Sequence, residues 1–297
     1  MSKHRPDKIA LDGLPARDSG SWAQEKLSFI DRFLPVALQA TQSKRERHYV
    51  DLFAGPGLNI DRTSGAEFPG AAIRALRAAA PNAHGATFTH AHFVNLSRSH
   101  HAALRVRSDR EVAEGRSRVP GSKIVHLLED ANAAAPRVLA RIHQRAYAFV
   151  FADSERPEHW PWRTVEALRA HGHKSLDLCL LFPLHMALVR LIAYAEEQNP
   201  GCAAVLTAFF GSDEWKPIAK QRISVAQSPT LRRRLQELYV TRLERLWPHV
   251  HEVRDVRRRG EHRLYKLLYA TASDAGRDIA EWEATQPRTV NQFGLGL

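Results

Sequence analysis

The sequence predicts a doubly wound α/β fold: a mainly parallel sheet with helices on both faces, a C-terminal antiparallel strand pair and helical additions. Three observations predict it. Short apolar runs alternate with helical patterns between Tyr49 and Phe182, as crossover units on a parallel sheet require. The first run leads through Asp51 into Gly55-Pro56-Gly57, a turn of the kind that ends a strand beside a ligand crevice. Beyond Phe182 the alternation gives way to helices and then to two more strand-like runs.

In chain order, residues 1–47 are expected to form an extension and a helix, and residues 48–297 the α/β domain, with a helical insertion at about 184–247. The first twenty residues are polar, carry the turn signals Asp12-Gly13 and Asp18-Ser19-Gly20, and read as an extended lead-in. A helix follows because Trp22, Leu27, Ile30, Phe33, Leu34 and Leu38 recur at three-and-four spacing. Ser21 is placed to cap it with Gln24 as capping-box partner, and Pro35 to kink or end it. Strands are expected at 48–54, 91–96, 123–128, 146–152 and 176–182, with helices around 70–80, 100–113, 132–144 and 162–170 between them. Helices near 185–197, 203–210 and 231–246 then precede strands at 250–256 and 263–271. Every parallel crossover should be right-handed.

Composition narrows the function class. With 44% hydrophobic and 25% charged residues the chain can bury a substantial core. It has no apolar run of membrane-spanning length, and Lys3, His4, Arg5, Asp7 and Lys8 replace the apolar stretch of a secretory signal, so a cytoplasmic setting is expected. Two cysteines, Cys179 and Cys202, make neither a disulfide framework nor a zinc site. The histidine pairs His90/His92, His100/His101 and His171/His173 lack metal-ligand spacing, and no metal is expected. The 43 Lys+Arg against 32 Asp+Glu leave a formal charge of +11. Such a surplus suits a nucleic acid or phosphorylated substrate, while a merely solvated surface stands beside that reading.

The candidate site follows from where strands end. Asp51 closes the first strand; Phe53, Gly55, Pro56 and Gly57 form the turn over which a ligand can approach the backbone closely. Gly-Lys-Ser/Thr is missing, which excludes a phosphate loop, and so is the third glycine of a dinucleotide fingerprint. The second strand ends at Asn95, where an acid would hold ribose hydroxyls with charge-assisted bonds; Asn predicts weaker binding. Asp130 follows the third strand, and an adenine contact and a helix N-cap are both open to it. Asp153 and Glu155 follow the fourth strand as candidate catalytic bases or metal-facing carboxylates, with exposed helix-cap acids the alternative. Cys179 lies within an apolar run and reads as a structural thiol, not a nucleophile. Arg232, Arg233 and Arg234 on a helix, with Arg257, Arg258 and Arg259 at a strand end, are candidate phosphate contacts displayed at the surface.

The loop 51–57 resembles the cofactor loop of class I S-adenosylmethionine-dependent methyltransferases, in which the acid meets the amino group of the methionine moiety. More widely, the chain resembles the three-Cys-motif partner proteins. The resemblance rests on Trp22 with Lys26, on Tyr49 through Gly57, on Leu176-Asp177-Leu178-Cys179-Leu180-Leu181-Phe182-Pro183, on Phe209-Phe210-Gly211-Ser212-Asp213-Glu214-Trp215, and on Leu264-Tyr265-Lys266-Leu267-Leu268-Tyr269-Ala270. It implies a methyltransferase-type fold, S-adenosylmethionine as cofactor and a radical-type three-cysteine protein as partner. Asn95 stands where that family tends to carry an acid, and Asp153-Ser154-Glu155-Arg156 where it carries an Asp-Pro-aromatic-Gly-like element. A catalytically degenerate binding module is therefore the alternative expectation.

Overall fold

The computed structural model describes residues 7–82, 85–154, 156–183, 187–196, 199–220, 228–257 and 263–286. The chain begins with strands β1 (Lys8–Ile9) and β2 (Pro15–Ser19) and helix α1 (Ser21–Ala40). Strand β3 (Arg47–Asp51), a hairpin of β4 (Leu58–Asp61) and β5 (Glu67–Pro69), and helix α2 (Ala71–Arg77) follow. Next come β6 (His90–Asn95), α3 (Arg98–Ala113), β7 (Ile124–Leu128), α4 (Ala131–Ala140), β8 (Tyr147–Ala152), α5 (Trp162–Ala170) and β9 (Ser175–Phe182). Helices α6 (Ala187–Glu196), α7 (Pro200–Phe210), α8 (Trp215–Lys220) and α9 (Ser228–Glu244) lead to β10 (His249–Arg257), β11 (Arg263–Thr271) and α10 (Asp274–Thr285).

The main sheet has seven strands in the order β10-β11-β9-β8-β3-β6-β7. Strands β7, β6, β3, β8 and β9 are parallel, while β11 runs antiparallel to both β9 and β10. The chain winds outward from β3 through β6 to β7, then returns to the other side of β3 as β8. That reversal opens a crevice between the carboxyl ends of β3 and β8.

Alternation along the strands divides the core into two layers. Tyr49, Phe93, Phe149, Phe151, Leu181 and Tyr269 face α1, α2 and α10. Val50, Val94, Val150, Leu178, Leu180 and Leu268 face α4, α5 and the α7–α9 group. Within the first layer the buried Asp177 carboxylate accepts the hydroxyls of Tyr147 at 2.9 Å and Tyr269 at 2.6 Å, joining β8, β9 and β11. Asp177 is thus a satisfied core group.

Several local expectations are corrected. Helix α1 continues through Pro35 to Ala40. Proline inside a helix costs roughly 3 kcal/mol, but Leu27, Phe29, Ile30, Phe33, Leu34 and Leu38 are all buried against the sheet and outweigh it. Gly20, not Ser21, is the N-cap of α1, and no side chain caps it, so the Ser21–Gln24 box does not form. The lead-in is partly strand: β1 and β2 join β4 and β5 in a four-stranded sheet ordered β1-β2-β4-β5. The glycine turn runs into the β4–β5 hairpin before α2. Gly70 N–H returns to the Gly57 carbonyl at 2.9 Å, closing the hairpin at its base and setting the start of α2 beside the loop.

Candidate functional site

Asp51 ends β3, Asp153 directly follows the adjacent β8, and Leu52 N–H bonds the Phe151 carbonyl at 3.0 Å, so both carboxylates stand at the crevice. Asp51 is 1% exposed. Its carboxylate accepts the Phe53 N–H at 3.1 Å and the Tyr49 hydroxyl at 3.4 Å, and it forms no ion pair among the described residues. Burial and then the nearby Asp153 charge push its pKa up to about 7, against the Phe53 N–H and the charges of Arg17 and Lys26.

The loop beyond Asp51 is pinned from behind. Gly55 and Gly57 have φ of +64° and +84°, conformations that side chains strain. A Cβ on Gly57 would lie 2.8 Å from Leu104, so Gly is required there for space as well. Asn95 donates to the Gly55 carbonyl at 3.0 Å. Arg107, only 6% exposed, donates to the carbonyls of Pro56 and Pro15, each at 2.7 Å, and forms a fork with Asp12 at 2.8 and 2.9 Å. One guanidinium thereby ties the N-terminal segment to the glycine loop.

In front of the loop opens a cavity of about 980 Å³, within the range of small-molecule sites. The N-terminal segment contributes Arg17, helix α1 contributes Trp22 and Lys26, and the α6–α7 region contributes Arg190, Tyr194 and Cys202. Lys26 forms a buried ion pair with Asp153 Oδ2 and lies 5.3 Å from the centre of the Trp22 ring. Asp153 Oδ1 is buried without a hydrogen-bond partner among the described residues. A cation therefore serves one carboxylate of the pair while the other, Asp51, has none.

These residues fit a ligand with an amino group and a planar apolar portion. Asp51 offers an uncompensated carboxylate, and the two glycines leave the space a Cβ would fill. At the carboxyl ends of β6 and β7, outside the cavity lining, the apolar Leu96 is 74% and Leu128 44% exposed. Phe53, Pro56 and Gly57 line the cavity, and Phe53 stacks edge-on against Trp160 at 6.0 Å.

Other expected residues fall elsewhere. Asn95 is buried behind the loop with its amide given to Gly55; it does not line the cavity. Asp130 caps α4, accepting the Asn132 N–H at 2.9 Å, and is also outside the lining. Glu155, Arg258 and Arg259 lie outside the described residues, and Arg257 is placed only as the last residue of β10. Arg232, Arg233 and Arg234 do not form one displayed face. Successive helical residues point about 100° apart, so Arg233 is exposed and paired with Glu237 at 3.5 Å while Arg232 and Arg234 are half-buried. Among the described residues, no group of three or more His, Cys, Asp or Glu can hold a metal ion, although His48 and His90 stack at 4.3 Å. Arg17, Arg62 and Arg107 gave no signal in the sequence. Lys26 did: a lysine four residues after Trp22, among the apolar positions of an amphipathic helix.

The strand order, with an antiparallel strand inserted before the last, is that of the methyltransferase-type doubly wound sheet. No family model matches the chain, and no curated protein does. Among solved structures it is similar to a spermidine synthase from Thermotoga maritima, at 8% identity and TM-score 0.43 over 91% of this chain and 66% of that one. It is also similar to a magnesium protoporphyrin IX methyltransferase from Synechocystis with bound S-adenosylmethionine, at 12% identity and TM-score 0.36 over 84% and 81%. A putative methyltransferase from Escherichia coli gives 15% identity and TM-score 0.29 over 53% and 72%. At such values the strand order, not these likenesses, assigns the fold. No described helix is long and apolar enough to cross a membrane.

Proposed function

We propose that this chain binds S-adenosylmethionine over the loop 51–57 and methylates a nucleic acid or a phosphorylated substrate. The observation that carries the reading is Asp51: a buried carboxylate without a cation, beside two positive-φ glycines, at the crevice where the sheet reverses direction. Bound there, the cofactor supplies an electrophilic methyl group. Asp51 receives the amino end, while Leu96 and Leu128 offer apolar surface to the base. Asn95 and Asp130 belong to the adenosine side in this reading, Asn95 through its hold on the Gly55 carbonyl. Asp153 Oδ1 accepts the N–H or O–H of the acceptor and takes its proton, with Lys26 fixing the opposite oxygen. Glu155 is the second candidate base. Arg62 and Arg190 at the cavity meet phosphate, and the exposed Arg233, with Arg257, Arg258 and Arg259, extends the contact to a longer polyanion.

Titration calorimetry with S-adenosylmethionine and its demethylated product tests this reading. Binding is expected, weakened at least tenfold in Asp51→Ala; no heat at high protein concentration would sink it.

One observation favours a second reading, a binding module without turnover. The residue in the ribose position is an asparagine whose amide already serves the loop, so a charge-assisted ribose contact is missing. Such a module holds nucleic acid through its basic surface, with affinity falling steeply in salt and lost when the arginines at 232–234 and 257–259 become Ala. The resemblance to three-Cys-motif partner proteins adds a radical-type protein as partner, tested by co-purification.

A further inference from the structure

The N-terminal strand β2 is part of the cavity, and one of its charges is unused. Arg17 packs over the glycine loop: a Cβ on Gly55 would lie 3.1 Å from its Nε. Its guanidinium has no hydrogen-bond or ion-pair partner among the described residues. The acids of the N-terminal segment are already matched. Asp18 pairs with Lys8 at 3.1 Å and Arg62 at 2.9 Å, Asp12 pairs with Arg107, and Asp7 bonds His100 at 2.6 Å. Nor is Arg17 on a loose tail. Arg17 itself pairs with Asn59 in the β2–β4 ladder, and Arg107 bonds Pro15 and Pro56 together two residues away. Across the same cavity stands Asp51, whose carboxyl feels the Arg17 charge although no bond joins them.

A fixed carboxylate and a fixed guanidinium facing one space, each without a counter-ion, match a zwitterion. An α-amino acid carries its ammonium and carboxylate on one carbon, and guanidinium binds carboxylate through a two-bond fork. We propose that Arg17 is the anchor for the carboxylate of the ligand's amino-acid end, with Asp51 taking the ammonium. The N-terminal segment is then a working wall of the site, selecting ligands that keep the whole amino-acid head. This inference rests on the cofactor reading above and names one contact within it.

Three ligands separate the two claims: S-adenosylmethionine, its decarboxylated form, and methylthioadenosine, which lacks the amino-acid end. Each is titrated into the wild-type chain, Arg17→Gln and Arg17→Lys. The wild type is expected to prefer S-adenosylmethionine over the decarboxylated form by about tenfold or more. Arg17→Gln should bring that ratio near one with methylthioadenosine affinity unchanged, and Arg17→Lys should keep an intermediate ratio. A ratio that survives Arg17→Gln overturns the inference while leaving cofactor binding intact. Loss of all three ligands in Arg17→Gln also overturns it, since a carboxylate contact cannot matter to methylthioadenosine. Failure of the wild type to bind any of the three removes the cofactor reading itself.

Discussion

In the folded chain the Asp51 carboxyl keeps its proton up to about pH 7, whereas an unfolded aspartate releases it near 3.8. A folded pKa above the unfolded one means that stability is greatest at low pH and is lost as pH rises through that window. The slope from this one group is at most about 1.4 kcal/mol per pH unit. Asp51→Asn should flatten that part of the profile, read as urea midpoints at about pH 5 and pH 8 for both proteins. An unchanged profile would show that Asp51 is not the buried acid. For a ligand with an ammonium group the direction reverses: affinity should improve as pH rises toward and through about 7, with a proton released on binding below it. The Lys26–Asp153 pair makes a separate prediction. Their side chains are 5% and 11% exposed, so Lys26→Met strands a buried carboxylate and should cost about 3–5 kcal/mol. Adding Asp153→Asn should recover part of that loss in the same denaturant titration.

Element ends show how function shapes the fold. Helix α7 stops at Gly211, with φ +70°, and a Cβ there would collide with the Trp162 side chain. Gly211→Ala should destabilise the chain by about 2–4 kcal/mol in a denaturant titration, through strain and collision together. At the end of β6, Asn95→Asp places an acid where ribose hydroxyls are usually held, yet removes the donor to the Gly55 carbonyl. It should therefore lower stability by roughly 1–3 kcal/mol and fail to tighten cofactor binding; tighter binding would return Asn95 to the ribose. The parallel strands were legible because their two-sided burial writes them as apolar runs such as Ala146 through Ala152 and Leu176 through Phe182. The β4–β5 hairpin was not, since Leu58-Asn59-Ile60-Asp61 is short, half polar and packed by a strand forty residues earlier. Pro35 misled for a related reason: tertiary burial overrode a local helix breaker. Of the site, the glycine turn and the acids ending β3 and β8 were visible in order along the chain. The Lys26–Asp153 and Arg107–Asp12 pairs span 127 and 95 residues, separations that no local pattern records.

The whole molecule is a sheet whose reversal creates a crevice, with an N-terminal segment and the α6–α7 region beside it. Arg107 joins the segment to the loop, so Arg107→Ala should loosen both at once. Amide exchange is expected to quicken in residues 8–19 and 55–61 together, while β8 and β9 stay protected. The net charge of +11 adds that any polyanion should bind with a steep salt dependence, measurable as the slope of log affinity against log salt. The central claim, that the crevice between Asp51 and Asp153 is a cofactor site, is tested most directly by a crystal structure with S-adenosylhomocysteine. We predict its amino group at Asp51, its carboxylate at Arg17 and its base toward Leu96 and Leu128. A ligand bound away from the loop 51–57, or a crevice left empty at saturating ligand, would contradict the account.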